Sequence, residues 1–571
     1  MNVSLDNKKV VIKLSSGDDF YTIIEKIKKH LSPYEYNPQT KLWTTERMNL
    51  LIFKHVFKDD RVFYEKDVLD LINKQDHYVK YLDNLKNTEY DKPMRDISLE
   101  LFKHQMTAIN FQLNETNSGL FDEQGLGKTL TTISTLQVLF DEKKIENIVV
   151  ICPNTLKYNW KVEIDSFSSL TSAIIEGSKK QKIELLDENA NVYITNFESL
   201  IIRKTKKSKV DAKSFQEKFE KIITEKTCIV IDEAHRIKSG NSKISKFLRK
   251  VGKLTNYKYV LTGTPIANKP EDIFYLFMFL DGGKLLGTNY YKFLKQYCIL
   301  GNSFSDFAIV GYKNLDKLKF LVGLKSLRRL KKNVQKNLPQ KIFQNRIIEL
   351  SHEHKKCYEN LKKEILTIVK EDNSESIIKS CLMRLIQCSS NPRLLQQEID
   401  SSKIKELDNL LEEHIERSGN KVIIWTNFIN NFPLLLERYK KYNPLYINGS
   451  VAIDQRQKNI LEFQNVNKVK LIICNPQAAS TGITLTASSV AIYLDRGFNL
   501  VDYLQSVDRI HRIGQDKICL IINLIGKNTI DEVVTSCLFK KESLVKYIQG
   551  DCDKIEKQTT NKELLNQALN V

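Results

Sequence analysis

The sequence predicts an α/β protein that uses one architecture twice, with parallel sheets covered by helices. Residues 96–284 and residues 403–550 both alternate short β-branched runs with helical segments. Strands of a parallel sheet are buried on both faces, so they are apolar throughout, as these runs are. The candidate strands are Ile148–Ile151, Val192–Ile194, Cys228–Ile231, Tyr259–Leu261, Val422–Trp425, Leu471–Cys474 and Val490–Tyr493.

Three further regions surround these two. Residues 1–95 predict a small α+β unit, with a β-rich run at Lys9–Leu14, an amphipathic helix from Phe20 to Leu31, and a polar linker from Lys80 to Arg95. Residues 285–402 contain few strand-like runs and favour helices. Residues 551–571 predict a polar C-terminal tail.

Composition bounds the class of protein. The 571 residues carry 88 Lys+Arg against 69 Asp+Glu, a net charge of +19, which suits a polyanionic partner but also an ordinary basic surface. No apolar run approaches the roughly 18–20 residues of a membrane span, and the N-terminus lacks the apolar core of a signal peptide. The ten cysteines form no C-x-x-C pair. We therefore expect an intracellular protein in a reducing compartment, without a membrane partner.

A candidate phosphate-binding loop precedes a helical segment in the first α/β region. Its glycines let backbone N–H groups face phosphates, its lysine can reach the β- and γ-phosphate oxygens, and its threonine can ligate Mg²⁺. Asp122 replaces the first glycine of the strict pattern, so a glycine cluster at a helix start is the alternative. The residues of this loop are Gly125, Leu126, Gly127, Lys128 and Thr129.

Two adjacent carboxylates follow the strand candidate Cys228–Ile231. Asp232 can hold Mg²⁺ directly or through water, and Glu233 can polarise an attacking water molecule. A helix start enriched in acidic residues is the alternative. A phosphate loop with a lysine in the same sheet favours the catalytic interpretation.

Two arginines, Arg509 and Arg512, lie three residues apart in the second α/β region, and on a helix they would share one face. Arginine stabilises charge on a transferring phosphoryl group, and its supply from a second domain would tie hydrolysis to domain closure. A solvated basic helix is the alternative. Together the motifs predict hydrolysis of a nucleoside triphosphate, with the catalytic residues Lys128, Asp232, Glu233, Arg509 and Arg512.

These motifs, in this order, resemble the Snf2 family of helicase superfamily 2. The resemblance spans about residues 98–545 and implies two RecA-like lobes, at 96–284 and 403–550, with a helical Snf2-type insertion and inter-lobe segment at 285–402. The matching segments are Asp122–Thr129 (motif I), Asp232–Lys238 (motif II), Leu261–Ile266 (motif III) and Arg509–Gln515 (motif VI), with weaker matches at Cys152–Glu163, Ile194–Glu198 and Arg328–Lys332.

The resemblance also implies the nucleotide and its ligands. Gln105 would recognise adenine, because a glutamine amide pairs with a donor and an acceptor on that base; otherwise it is an ordinary surface residue. Mg²⁺ would be held by Thr129 and Asp232. The full set implied for ATP binding is Gln105, Gly125, Leu126, Gly127, Lys128, Thr129, Gly482 and Gln505.

A two-lobed motor of this family binds DNA across both lobes, mainly through phosphates. The basic run Arg203–Lys209 is a candidate phosphate contact, a localisation-like signal or a solvated loop. The DNA contacts implied by the motifs are Asn154, Thr155, Trp160, Asn196, Thr262, Thr426, Asn427, Ser480 and Thr481.

Two features are similar to the annealing-helicase (HARP/SMARCAL-like) branch of the family. Motif V, Ala478–Thr486, lacks the glycine pair and the asparagine of nucleosome remodellers. The N-terminal unit, with Tyr34, Tyr36 and Trp43, resembles the HARP module of that branch, although such a tryptophan is also common in the core of a small domain.

We therefore expect a monomeric ATP-dependent translocase that moves on duplex DNA and remodels forked or branched DNA by annealing, fork regression or branch migration. The alternatives are a remodeller of chromatin or other protein–DNA complexes, a strand-separating RNA helicase, and an ATP-gated DNA clamp with little turnover. The Lys-, Ile- and Asn-rich sequence suggests an AT-rich genome and favours the cytoplasm or nucleoid of a bacterium or phage-infected cell over a nucleus.

Overall fold

A computed structural model of the chain gives the positions of most residues. It describes residues 1–6, 9–15, 19–31, 34–50, 53, 56–92, 97, 99–201, 209–266, 268–301, 309–334, 338–372, 374–479, 482–512, 514–552 and 561–569. The basic residues 203–208, together with Ser480 and Thr481, lie outside the described residues.

Among the described residues there are twenty strands, numbered here in chain order. They are β1 Asn2–Asp6, β2 Lys9–Lys13, β3 Tyr34–Asn37, β4 Leu42–Glu46, β5 Phe63–Tyr64, β6 Asn117–Leu120, β7 Asn147–Cys152, β8 Ser172–Ile174, β9 Val192–Asn196, β10 Thr227–Asp232, β11 Tyr257–Leu261, β12 Cys298–Leu300, β13 Ile309–Tyr312, β14 Ser326–Leu327, β15 Lys341–Ile348, β16 Val422–Trp425, β17 Leu445–Ile447, β18 Leu471–Cys474, β19 Val490–Tyr493 and β20 Cys519–Gly526.

The α-helices are numbered in the same way. They are α1 Phe20–His30, α2 Lys66–Leu85, α3 Lys103–Asn114, α4 Lys128–Asp141, α5 Lys157–Phe167, α6 Lys179–Leu185, α7 Lys209–Lys221, α8 Lys243–Val251, α9 Ile273–Asp281, α10 Tyr290–Tyr297, α11 Leu315–Leu324, α12 Lys331–Val334, α13 His352–Glu371, α14 Glu375–Ser390, α15 Ser402–Leu411, α16 Phe432–Arg438, α17 Ile453–Asn465, α18 Pro476–Ala479, α19 Leu500–Val507, α20 Ile530–Gln549 and α21 Asn561–Leu569.

Two parallel sheets form the two lobes, as the sequence predicts. Lobe 1 is the seven-stranded sheet with the order β14-β6-β11-β10-β7-β9-β8, and lobe 2 is the six-stranded sheet with the order β15-β20-β19-β16-β18-β17. Alternate residues of β16 face opposite sides of the lobe 2 sheet: Val422 and Ile424 join one core, and Ile423 and Trp425 join the other. All seven strand candidates lie within strands of these sheets.

Several strands were not predicted. Strand β6 precedes the phosphate loop in lobe 1 and was not a candidate, and the region 285–402 contributes β14 to lobe 1 and β15 to lobe 2. Strand β15 is an edge strand whose side chains are mostly exposed, so it lacks the continuous apolar run that identifies a buried strand.

Two expectations at the ends of the chain are wrong. The segment from Lys80 is not all linker, since α2 continues to Leu85, whose side chain joins the core of lobe 1. The C-terminal tail is not merely polar: α21 buries Leu564, Leu565 and Leu569 against the same core. Leucines spaced one, four and five residues apart share one helix face, so a short apolar stripe was overlooked in a polar context.

The N-terminal unit has its own core. Strands β3, β4, β2 and β1 pair antiparallel, and β5 joins β1 in parallel. Trp43 is a buried residue of this core, with its ring centroid 4.7 Å from that of Tyr36. The unit contacts α11 through a hydrogen bond from Lys317 Nζ to Asn49 Oδ1. Among the described residues, no helix is both long and apolar enough to cross a membrane.

A buried ion pair holds lobe 2 to the helices around it. Lys403 Nζ lies 2.5 Å from Asp531 Oδ2 and also donates to the carbonyl oxygen of Leu494 at 3.3 Å. The same carboxylate accepts hydrogen bonds from Ser389 Oγ at 2.6 Å and from the Gly526 backbone N–H at 2.8 Å. Helices α14, α15 and α20 therefore converge on one fully buried charge pair.

Replacing the cation of this pair should destabilise the fold. Lys403→Met leaves the buried carboxylate of Asp531 without its counter-charge, which costs about 3–5 kcal/mol. Denaturant unfolding of the full chain measures the loss. The control is Lys405→Met, whose exposed ammonium lies 4.0 Å from Asp400 and should matter by less than about 1 kcal/mol. Equal destabilisation by both changes would contradict the assignment.

Candidate nucleotide site between the two lobes

The candidate phosphate loop joins β6 to the start of α4, at the carboxyl edge of the lobe 1 sheet. Gly125 and Gly127 have φ values of +85° and +75°, which side-chain-bearing residues rarely adopt. Lys128 is the first residue of α4. The loop therefore aims backbone N–H groups and a helix N-terminus at the same space, a geometry that suits phosphate.

Gln105 is a buried residue beside this loop and not an ordinary surface residue. A Cβ atom added to Gly127 would lie 2.4 Å from Gln105 Nε2. Gln105 Oε1 accepts a hydrogen bond from the Phe102 backbone N–H at 2.9 Å, and the ring of His104 bonds the carbonyl oxygen of Leu126 through Nε2 at 3.1 Å. The start of α3 thus sets the position of the amide against the loop.

Lys128 is half-buried, and its ammonium lies among acidic and carbonyl oxygens. Its ammonium donates to the carbonyl oxygens of Asp122 at 2.8 Å and Glu123 at 3.3 Å. Burial lowers the pKa of Lys128, while the Glu233 and Asp122 carboxylates oppose this shift. The glycine cradle, a lysine and a threonine at the helix start form a donor set that fits a nucleoside triphosphate with Mg²⁺.

Asp232 is the last residue of β10, and Glu233 follows it. In the sheet, β11 lies between β10 and β6, the strand that leads into the phosphate loop. Asp232 Oδ1 accepts from the Glu233 backbone N–H at 2.8 Å, and Oδ2 accepts from Trp160 Nε1 at 2.9 Å. Burial, followed by the charge of Glu233, raises the pKa of Asp232 to about 6. Asp232 is therefore oriented by two donors, and it is positioned to serve as a cation ligand.

Glu233 has a φ value of +51°, so its side chain leaves the line of β10. Burial alone would raise the pKa of Glu233, but the hydrogen bond from His235, followed by the charges of Lys128 and Arg509, keeps that pKa below its usual value. His235 Nδ1 lies 3.3 Å from Glu233 Oε2. Gln505 Nε2 of lobe 2 donates to the same oxygen at 3.2 Å.

Arg509 reaches motif I from lobe 2. Its Nη2 donates to Gln124 Oε1 at 2.9 Å, and its Nε donates to the carbonyl oxygen of Gln505 at 2.9 Å. Burial, followed by the nearby charge of Arg512, lowers the pKa of Arg509 to about 10. The guanidinium therefore lies in the interface between the lobes and within reach of the loop.

The helical interpretation of the two arginines is wrong. Helix α19 ends at Val507, and Arg509 and Arg512 follow it in turns. Both guanidinium groups nevertheless converge, since each donates to the carbonyl oxygen of Ile483 at 3.1 Å. Their proximity comes from a shared acceptor and not from helical spacing.

Lys331 connects the inter-lobe segment to both lobes. Its Nζ donates to Asp508 Oδ1 at 2.9 Å and to the carbonyl oxygen of His511 at 2.8 Å. Its backbone N–H donates to Glu123 Oε2 at 2.8 Å. These residues line a cavity of about 650 Å³ between the lobes, next to motif I.

The predicted DNA contacts divide by burial. Trp160, Thr262 and Thr426 are buried, so the expectation that they touch DNA does not fit this arrangement. Trp160 bonds Asp232, Thr262 Oγ1 lies 3.4 Å from His235 Nδ1, and Thr426 Oγ1 donates to Asp495 at 2.7 Å. They support other residues of the site instead.

The remaining predicted contacts are more accessible. Asn154 is exposed, while Thr155, Asn196 and Asn427 are half-buried. Asn427 is tied to Asp495 by its backbone N–H at 2.7 Å. Ser480 and Thr481 are not described, so their assignment stays a prediction.

A groove between the lobes lies beside the segment Cys152–Glu163, one of the weaker motif matches. Thr155 and Asn159 of lobe 1 face Arg456 and Gln457 of lobe 2 across a volume of about 310 Å³. Gly482 closes one end of this groove, because a Cβ atom there would lie 2.4 Å from Leu156 Cδ2. Gly482 therefore permits close approach of the lobes, and its predicted contact with ATP stays a prediction.

Residues 71–394 match the SNF2-related domain, and residues 402–514 match the helicase conserved C-terminal domain. The chain belongs to the Snf2 family. Its two parallel sheets are the two RecA-like lobes of that family's core. The matched segments contain motifs I, II and III and all of motif VI except its last residue, Gln515.

The curated relatives are more than twice as long as the part that this Snf2 chain matches. The CHD3-type chromatin-remodeling factor PICKLE of Arabidopsis thaliana is 26% identical over 82% of this chain and 35% of its own length. An uncharacterized ATP-dependent helicase of Mycoplasma genitalium is 30% identical over 79% of this chain and 42% of its own. The Sulfolobus solfataricus SWI2/SNF2 ATPase core in complex with dsDNA is 25% identical, covers 84% of this chain and 99% of its own, and has a TM-score of 0.39. None of these names refers to the annealing-helicase branch, so the resemblance to that branch stays a prediction.

Several contacts of the site could not be predicted from the sequence of this Snf2 chain. Gln124, Lys331 and Lys341 meet partners that are distant in sequence: Arg509, Asp508 and Glu123. No local pattern marks such pairs. The hydrogen bond of Trp160 could have been predicted in part. A buried indole N–H needs an acceptor, and the carboxylate of Asp232 is an acceptor in the same lobe.

A substitution in the loop tests its geometry. Gly127→Ala should weaken binding of a fluorescent ATP analogue by at least about tenfold, because the added Cβ displaces Gln105 and strains the backbone. The control is Gly419→Ala, which has a φ value of +68° and nothing within 4 Å of its added Cβ. It carries the backbone strain without the clash. Unchanged affinity in Gly127→Ala would argue against this loop as the nucleotide site.

Proposed function

We propose that the protein is a DNA-dependent ATPase that translocates on duplex DNA and remodels forked or branched DNA. The observation that carries the proposal is the meeting of both lobes on one site: Gln505 bonds Glu233, and Arg509 bonds Gln124. An ATPase whose catalytic groups come from two lobes can couple hydrolysis to lobe movement, which translocation requires.

The residues of the site suit ATP with Mg²⁺. Lys128, Thr129 and Asp232 would hold the metal–nucleotide complex, and Mg²⁺ would supply charge neutralisation on the phosphates when bound. Glu233 is the candidate base, because its lowered pKa keeps it ionised near neutrality. Arg509 and Arg512 provide positive charge from lobe 2 for the phosphoryl group.

The groove at Thr155, Asn159, Arg456 and Gln457 supports binding of a nucleic-acid backbone. Its lining combines a cation with neutral donors, which bind phosphates without regard to sequence. The names of the mycoplasma and plant relatives favour an ATP-driven motor.

The finer proposal, action on forks and branches, rests on two features. Motif V carries Ala478, Ala479 and Gly482 in the pattern similar to the annealing-helicase branch. The N-terminal unit has its own core and is joined to α11 at Lys317. A separate domain held on lobe 1 is suited to recognise the structure of the DNA that the motor encounters.

Remodelling of protein–DNA complexes is the second candidate. The specific observation that favours it is the set of relatives named chromatin-remodeling factors, including PICKLE and an Arabidopsis thaliana ISWI-complex ATPase. In that case the same motor would act with duplex DNA, and branched substrates would give no advantage.

ATP hydrolysis by the full chain should rise with duplex DNA. We expect stimulation of at least about tenfold in kcat, since a DNA-coupled motor positions its lobe 2 residues only when it is engaged. Hydrolysis is measured without nucleic acid and with single-stranded, duplex and forked DNA and RNA, with Lys128→Ala as the blank. Stimulation by RNA alone would overturn the DNA assignment. If the protein strips a bound protein from linear duplex as fast as it rewinds strands on forks, the second candidate is favoured.

Removal of Arg509 should separate binding from chemistry. Arg509→Ala should lower kcat by about a thousandfold or more, with the affinity for ATP within a few-fold of the parent, because the lost charge acts mainly on the transition state. The control is Arg417→Ala, an exposed arginine that pairs with Glu412. Loss of ATP binding in Arg509→Ala would contradict the assignment to the transition state.

A further inference from the structure

We propose that Trp160 is a positioning residue that couples the DNA groove to the magnesium-binding carboxylate. The inference rests on the proposed function, because it assumes ATP hydrolysis at Asp232 and Glu233. It goes beyond that function by naming a route from the groove to the site. Trp160 was expected to contact DNA directly, and its burial and hydrogen bond give it a different role.

The hydrogen bond fixes the orientation of Asp232. Trp160 Nε1 donates to Asp232 Oδ2 at 2.9 Å, and the Glu233 backbone N–H donates to Oδ1 at 2.8 Å. One donor on each oxygen sets the plane of the carboxylate. The bond is charge-assisted and the indole is almost fully buried, so it is stronger than a bond between neutral groups in water.

Helix α5 carries Trp160 on one side and groove residues on the other. Tyr158 is exposed on this helix, and Asn159 lines both the groove shared with Gln457 and the adjoining volume lined by Val162 and Asp454. The indole points away from this surface, into the core of lobe 1. A rigid helix moves as a unit, so a ligand that presses on its groove side displaces Trp160 as well.

A second residue of α5 lies within the same electrostatic environment. Burial, followed by the charge of Asp232, raises the pKa of Glu163 to about 7, and the charge of Arg512 opposes this shift. Glu163 therefore lies near the catalytic carboxylate and the lobe 2 arginine. Movement of α5 changes the surroundings of Asp232 through both residues, although only Trp160 bonds it directly.

The chain offers a matched control. Trp425 is fully buried at the end of β16 in lobe 2, and its Nε1 has no hydrogen-bond partner among the residues that the structure describes. Trp160→Phe and Trp425→Phe both trade a buried indole for a smaller ring. Only the first removes a hydrogen bond, so the difference between them isolates the effect of the N–H group.

The test uses the full chain with three readouts. They are the Mg²⁺ concentration that half-saturates binding of a fluorescent, non-hydrolysable ATP analogue, the kcat of ATP hydrolysis with saturating duplex, and the Kd for that duplex. Trp160→Phe should raise the half-saturating Mg²⁺ concentration several-fold and lower the duplex-stimulated kcat by about tenfold, while the Kd for duplex stays unchanged. Trp425→Phe should leave the Mg²⁺ dependence and the stimulation at the parent values.

A benzothienylalanine at position 160 separates the loss of the hydrogen bond from a change in packing, because it keeps the ring shape and removes only the N–H group. It should reproduce the shift in Mg²⁺ dependence with an unchanged melting temperature. Parent-like Mg²⁺ dependence with this residue would overturn the inference, as would equal effects of the two phenylalanine variants. If the parent protein does not hydrolyse ATP, the proposed function fails, and the Mg²⁺ titration of analogue binding still decides the role of Trp160.

Discussion

The ion pair between Lys331 and Asp508 places a buried positive charge between the two lobes. The arrangement of the site depends on this pair. The ammonium of Lys331 is buried against Asp508, and the backbone of this lysine holds Glu123 of motif I. Burial lowers the pKa of Lys331, and the Asp508 carboxylate opposes that shift. Breaking such a pair would leave an uncompensated buried charge, so the inter-lobe segment, motif I and motif VI are held together as one unit.

Around this pair, each lobe contributes residues that lie at the carboxyl edge of its sheet. Lobe 1 supplies the glycine loop and the carboxylates Asp232 and Glu233, which follow strands of one sheet. Lobe 2 supplies Gln505, which lies in α19, and Arg509, which follows that helix. Parallel strands end at a common edge, so residues distant in sequence come together without any local signal. The interface thereby builds one chemical site from residues of both lobes.

Seven strands of the two lobes could be predicted because their apolar runs are buried on both faces, as in Val422–Trp425. Strand β15 could not, because its exposed side chains lack that pattern. The catalytic residues were identified from motif chemistry, whereas the pairing of Arg509 with Gln124 depends on how two lobes dock. The expected helical pairing of Arg509 and Arg512 was wrong for the same reason: spacing describes one segment, and their shared carbonyl partner lies in another.

The central claim is that ATP binds between the lobes with groups from both in contact with it. A structure of the protein bound to a Mg²⁺–ATP analogue and a DNA duplex tests this most directly. We predict the triphosphate on the Gly125–Thr129 loop, Asp232 on the metal with its bond to Trp160 retained, and Arg509 turned from Gln124 to the γ-phosphate. A nucleotide bound elsewhere would contradict the account. So would a nucleotide on lobe 1 with Arg509 still bonded to Gln124 and with both arginines still bonded to the carbonyl oxygen of Ile483.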